Sequence, residues 1–225
     1  MTHHFSINAN YTLSWSRGWS AGSSSTSGFR NYPHDPVNPW NPLDFGYTPQ
    51  DERHHITFSG IWELPWGFQV SPILQFGTAR PYDLTSSYDV LSRGTGYFRP
   101  VIVPINDPTN YTAFNVASGN TKQEGIAARA CLAAGQCREV GYDTVRGDAF
   151  FQLDTRIAKN IRFKEHYNVQ LFFQAFNLTN RANFGNNFYN APANGKFLQQ
   201  AGFINPSSTM IPRSFNGEFG ARFTF

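Results

Sequence analysis

The side chains best suited to metal or redox chemistry are two histidine pairs and two cysteines. His54-His55 and His3-His4 are each adjacent in sequence. Neighbours on an extended strand point to opposite faces, so neither pair closes on one metal ion. Cys131 and Cys137 lie close together, without CxxC spacing and without a second pair, which argues against zinc. A local disulfide in an oxidising compartment is their candidate use, and two free thiols are the alternative. No Ser or Cys occupies a nucleophile elbow, and no glycine-rich phosphate loop follows a strand. The carboxylates are too scattered for paired acid–base work. The expectation is a protein that is not an enzyme and needs no metal or cofactor. Asn10, Asn110 and Asn177 begin matches to the glycosylation acceptor pattern, but that pattern is weak and two of the three fall in or at the end of predicted strands.

The elements that must carry these residues are written in the composition and its period. The chain has 225 residues, 16% aromatic and only 15% charged, with a net charge of +3. Mean hydropathy is -0.43, so many aromatic residues coexist with a polar average. No run approaches the roughly 20 apolar residues of a membrane helix. No dense Lys/Arg cluster points to nucleic acid as a partner. A transmembrane β-barrel has this balance because only alternate residues face lipid. A secreted β-sandwich shares it.

Strict alternation then marks six segments, 5–15, 56–64, 68–76, 151–158, 167–175 and 215–225. In the first, Phe5, Ile7, Ala9, Tyr11, Leu13 and Trp15 alternate with Ser and Asn or Thr. Pro72 interrupts the third and predicts a bulge, since proline cannot donate to a ladder. The connections alternate in length. Residues 17–50, 78–149 and 180–213 form long ones, while 65–67 and 160–166 are short. Long loops on one side and short turns on the other are the habit of outer-membrane barrels. Phe5, Trp62, Trp66, Phe68, Tyr167, Phe223 and Phe225 gather at the short-turn end, and Trp15, Phe76, Phe151 and Phe215 near the other, as two interfacial girdles would. Glu63, Asp154, Arg156, Glu218 and Arg222 take the opposite phase and are expected to pair inside a polar lumen. Residues 124–134 are Ala-rich and predict a helix ended by Gly135, with the two cysteines at its end.

The sequence "FFQAFNLTNRANF" at 172–184 resembles the penultimate strand and its exit in TonB-dependent outer-membrane receptors. "PR" at 212–213 followed by "FGARFTF" at 219–225 is similar to their final strand, and 51–60 and 75–82 are similar to strands a little upstream. The nearest likeness is to the large Oar-like type, which carries a carboxypeptidase-regulatory-like domain. This resemblance implies a barrel of about twenty-two strands with a plug, energised through TonB, that imports a scarce iron chelate, vitamin, saccharide or peptide. It also implies that Phe219, Phe223 and Phe225 form the terminal signal read by the barrel assembly machinery.

Residues 1–225 depart from that family in having six strands and no recognisable plug, TonB box or signal peptide. The expected architecture is therefore all-β: an antiparallel, up-and-down transmembrane barrel segment, open or incomplete, with long extracellular loops. The expected role is the C-terminal part of such a receptor in the outer membrane, not transport-competent alone. Its implied partners are outer-membrane lipid, the assembly machinery, the remainder of the receptor, and TonB through the missing plug. Tyr82, Asp83, Arg93, Tyr97 and Arg99 are the candidate ligand contacts on the loops. Two alternatives stay open. One is a small self-contained porin or adhesin that finds further strands near 100–105. The other is a soluble, secreted, carbohydrate-binding β-sandwich whose apolar faces meet as a core.

Overall fold

The computed structural model describes residues 4–19, 38, 40–84, 102–107, 121–141, 144–163, 167–190, 195–204 and 214–225. In chain order its strands are β1 (Phe5–Leu13), β2 (Arg17–Trp19), β3 (Phe45–Tyr47), β4 (His54–Leu64), β5 (Phe68–Gly77), β6 (Pro81–Tyr82), β7 (Ile102–Pro104), β8 (Cys137–Glu139), β9 (Val145–Arg146), β10 (Phe150–Phe163), β11 (Tyr167–Phe176) and β12 (Asn216–Thr224). Between β7 and β8 lies the helix α1 (Thr121–Ala133).

The six alternating segments fold into one six-stranded sheet, ordered β1-β4-β5-β10-β11-β12. Every neighbouring pair is antiparallel, so the sheet is a simple up-and-down meander. Its connections alternate as the sequence predicts. Pro65–Gly67 joins β4 to β5, and Phe163 pairs with Tyr167 across the turn from β10 to β11. Among the described residues, β1 pairs only with β4 and β12 only with β11, so the sheet is open at both edges.

The register aligns the apolar phase of each strand with that of the next. One row across the sheet reads Phe5, Trp62, Val70, Ile157, Phe173 and Phe219. The opposite face reads Ser71, Arg156, Gln174 and Glu218 along a neighbouring row. A one-residue slip would mix the two faces, which is why the pattern fixes the pairing. Among the described residues no second sheet covers the apolar face. Phe5 is 50% exposed, and Phe219, on the edge strand β12, 79%. The buried apolar residues lie mostly on the long-loop side instead. Ile102, Ala128 and Cys137 form one small core, and Tyr82, Leu84, Val103 and Val140 form another. A sandwich would invert that distribution, with its sheet faces buried and its loops wet.

Three expectations need correction. The first concerns Pro72, which makes no bulge. Ser59 stands opposite Ile73 and Trp62 opposite Val70, so equal numbers of residues intervene on both strands. The ladder lapses there and resumes in the same register, because a missing N–H removes a hydrogen bond without adding a residue. The second concerns β10, which runs on to Phe163 where the sequence pattern stops at Ala158. Lys159 breaks the apolar phase, yet Ile161 and Phe163 restore it. The ammonium of Lys159 donates to the carbonyl of Trp66 in the short turn and sits 4.4 Å from the Phe68 ring centroid. A long stem on the apolar face with its charge at the interface is the snorkelling arrangement. The third is that the charged residues of the polar face do not pair with one another; the partners of Glu63, Asp154, Arg156 and Glu218 are described below. The helix also starts earlier than its Ala-rich run, at Thr121.

The turn Pro65–Gly67 is tightly specified. Trp66 has φ 62° and Gly67 φ 79°, and a Cβ on Gly67 would lie 2.6 Å from the carbonyl oxygen of Asn160. Gly67→Ala therefore strains both the turn and the approach of β10. A loss of about 1–3 kcal/mol is expected from urea unfolding in lipid vesicles. An unchanged midpoint would mean that this turn does not set the hairpin.

Candidate functional site

The polar face of the sheet forms a trough of about 390 Å³ lined by Ser6, Ser59, Gln69, Ser71, Arg156 and Gln170 together with the apolar Gly60, Ile61 and Ile73. Arg156 donates to Gln170 Oε1 at 2.9 Å and lies 4.1 Å above the Phe172 ring. Gln170 passes the network on to Asn160 Oδ1 at 3.0 Å. Asp154 accepts from Gln152 at 2.8 Å and from the backbone N–H of Asn177, also at 2.8 Å. Glu218 meets Gln174 at 3.4 Å, and Glu63 faces His4 at 3.8 Å. Amides, an imidazole and an aromatic ring thus meet Asp154, Arg156, Glu218 and Glu63, four of the side chains expected to form ion pairs. The reason is spatial: Asp154 and Arg156 share a face but are two residues apart along one strand, about 7 Å by the strand rise. Such a surface is wettable and suits a polar lumen.

Above the sheet, on the long-loop side, is a denser network. Ser14 and Ser16 continue inward from β1, and Ser14 Oγ donates to the Glu52 carbonyl at 2.6 Å. Asp51 is fully buried; its oxygens accept from Ser16 N–H at 2.8 Å and from Arg146 at 2.6 Å, with Arg53 at 3.8 Å. Burial pushes this carboxyl up, but the Ser16 and Arg146 hydrogen bonds and the two guanidinium charges outweigh it and hold it below its ordinary value. Glu52 takes Arg80 Nε at 2.8 Å and bonds the ring of His55. Its carboxylate fits because position 77 is glycine: a Cβ there would lie 2.6 Å from Glu52 Oε1. Tyr47 stands among three guanidinium groups, Arg17 at 4.3 Å, Arg146 at 4.9 Å and Arg53 at 5.8 Å from its ring centroid. The hydrogen bond from Arg17, then that from Arg53, holds the pKa of its phenol below the usual tyrosine range.

A depressed carboxyl value has a definite sign. Asp51 contributes stability in full above its unfolded value, about pH 4, and that contribution is lost as pH falls through the lower folded value. Acidification below about pH 4 is therefore expected to change the tryptophan emission around Trp15 reversibly before the β-sheet circular dichroism is lost. Emission that changes only together with the sheet would remove Asp51 as the keystone of the network.

The candidate residues fall in three places. Phe219, Phe223 and Phe225 line the apolar face and end of β12, with Phe223 stacked on Tyr167 at 6.0 Å and on Phe225 at 5.9 Å. Cys131 and Cys137 are joined in a disulfide with Cα atoms 5.5 Å apart, stapling the end of α1 to β8. Tyr82 is only 7% exposed and stacks on Phe188 at 5.4 Å, so its ring belongs to the loop core. The backbone carbonyl of the half-buried Asp83 accepts from Asn190 at 2.9 Å. Arg93, Tyr97 and Arg99 lie outside the described residues. The histidine pair splits as strand geometry requires. His54 meets the Tyr11 hydroxyl at 2.9 Å, and His55 turns to Glu52.

Sequence reading missed Tyr47 and its arginines. The available signal was the continuation of the odd phase through Trp15, Arg17 and Trp19, beyond the nine residues that pair in β1. It also missed what the asparagines of 177–183 do. Asn183 is buried and bonds Phe151 twice, accepting from its N–H and donating to its carbonyl, each at 3.0 Å. Asn177 holds the turn by bonding both backbone groups of Arg181, and Asn180 accepts from Phe215 N–H at 2.9 Å.

An antiparallel meander with one apolar face uncovered among the described residues, one polar face and long loops on a single side has the strand pattern of an outer-membrane barrel wall. The family model described as "Outer membrane beta barrel domain" matches residues 1–215, so the chain belongs to that family and is an outer-membrane protein. Neither the curated proteins nor the solved structures contain a match to the chain.

Proposed function

We propose that this domain is the C-terminal barrel portion of a TonB-dependent receptor of the Oar-like type, contributing wall and loops to the import of a scarce ligand. The observation that carries the reading is the open sheet. Among the described residues both β1 and β12 present an unpaired edge at membrane depth, and each unsatisfied backbone group in lipid costs several kcal/mol. Further strands must complete the ladder, and the resemblance of 172–184 and 219–225 to the last strands of such receptors says which strands those are. The polar trough then forms part of a wide lumen, and the folded loop layer forms part of its vestibule.

The test is closure. The chain refolded alone into vesicles is expected to give no ion conductance and no heat-modifiable band on electrophoresis. Joined to upstream receptor strands, it is expected to give a heat-modifiable barrel whose ligand uptake depends on TonB. Deleting Phe225 from that assembly should lower its outer-membrane level. A closed, conducting barrel from the chain alone would support the porin alternative and sink the receptor reading.

A further inference from the structure

We infer that the β2–β3 hairpin carries a docking site for the phosphate of a phosphorylated lipid headgroup in the outer leaflet, with Arg17 as its principal ligand and Tyr47, Arg53 and Arg146 as its frame. This inference rests on the lipid-facing phase of the sheet and on the family, not on the transport reading.

Depth is the first argument. The outward residues Phe5 to Leu13 of β1 span about 27 Å of strand at 3.3–3.4 Å per residue. A tilt of about 40° reduces that to about 20 Å of an apolar band about 25 Å tall. Trp15, two residues on, completes the band, and Arg17 rises roughly 5 Å above it, at headgroup level. The long-loop side is the outer leaflet by the usual placement of loops and turns.

Direction is the second. Ser14 N–H bonds the Arg53 carbonyl at 3.1 Å, and Ser16 N–H bonds Asp51, so both serines stay with the inner network. Trp15, Arg17 and Trp19 then keep the outward phase of β1. Arg17 pairs with Tyr47 and Trp19 with Phe45 on the hairpin, so these four side chains continue the lipid-facing surface upward. Trp15 and Trp19 are both exposed, and Trp19 packs edge-on against Trp40 at 5.3 Å, as an amphipathic belt at a membrane interface would.

Charge is the third. Arg53 and Arg146 share the buried Asp51, and Arg53 also covers Trp15 at 4.9 Å. Arg17 donates to the Tyr47 hydroxyl at 2.6 Å, and among the described residues no carboxylate reaches its guanidinium. The cluster thus keeps a surplus positive charge beside an exposed aromatic surface. A guanidinium fork held flat on a ring is prepared for bidentate bonding to phosphate oxygens.

The experiment uses the chain joined to upstream strands that close its barrel, folded in phosphatidylcholine vesicles with and without a bis-phosphorylated glycolipid, and reads the glycolipid retained after mild extraction by native mass spectrometry. Wild type is expected to retain it in preference to phosphatidylcholine. Arg17→Gln should weaken retention about fivefold, the equivalent of one surface cation near an anionic headgroup, while Arg222→Gln on the polar face should not change it. On the wild type alone, retention should fall as salt is raised and resist millimolar inorganic phosphate. Equal retention of both lipids, an Arg17→Gln variant as retentive as wild type, or insensitivity to salt would each overturn the site. Displacement by free phosphate would show a soluble-anion site instead of a lipid one, and would overturn it too.

Discussion

Ile157→Arg is expected to prevent stable insertion, at a cost of about 2–4 kcal/mol for a cation near the bilayer midplane. Ile157 sits midway along β10, flanked by Val70 on one side and Phe173 on the other, and its side chain is exposed on the apolar face. Leu171→Arg is expected to cost less, because Leu171 stands opposite Lys159, whose ammonium already reaches the Trp66 carbonyl near the short turn. The two variants compared by urea unfolding in vesicles test depth as well as face. Equal costs would place the two positions at one depth. No cost for either would deny that this face meets lipid.

The second large effect is expected at Asn183. Its amide occupies the place of a strand neighbour, satisfying both backbone groups of Phe151 at the head of β10. Alanine leaves that N–H and that carbonyl without their partner beneath the loop, and leaving a buried polar group unsatisfied costs about 1–3 kcal/mol each. Asn183→Ala should therefore lose about 2–6 kcal/mol and open the chain beyond β11 to protease before the sheet unfolds. Asn183→Asp can still accept from Phe151 N–H but sets a buried carboxylate oxygen against its carbonyl, so it should not restore the loop. A wild-type protease pattern in the alanine variant would mean that the asparagine does not hold the loop.

The six strands were legible because a period of two survives any loop length between them. Phe5 to Leu13 and Tyr167 to Phe176 announce themselves, and their apolar phases then fix the register. What broke the reading was local. Lys159 sits in the apolar phase, and only the neighbouring turn carbonyl explains why the strand passes through it. Pro72 signals a lost hydrogen bond, but the sequence cannot distinguish a lapse in the ladder from an added residue. The loop layer was illegible for a different reason. Its strands are two or three residues long and pair across wide gaps in sequence, as Pro81 does with Arg146 and Ile102 with Glu139. No period can form in so few residues. The strand foreseen near 100–105 does exist as β7, yet it pairs with β8 in the loops and adds nothing to the sheet. The same holds for Tyr47, whose three arginines come from β2, the approach to β4, and β9. Each is unremarkable in its own segment, and only the fold brings them to one ring.

The central claim is that alternate residues of one sheet face lipid and a polar interior. Nitroxide labels placed singly at 168 to 174 along β11, in the chain joined to upstream barrel strands and refolded into vesicles, test it most directly. Accessibility to oxygen should peak at Val169, Leu171 and Phe173, and accessibility to a water-soluble nickel complex at Asn168, Gln170 and Gln174. Oxygen and nickel profiles without a period of two, or with the phases exchanged, would contradict the account.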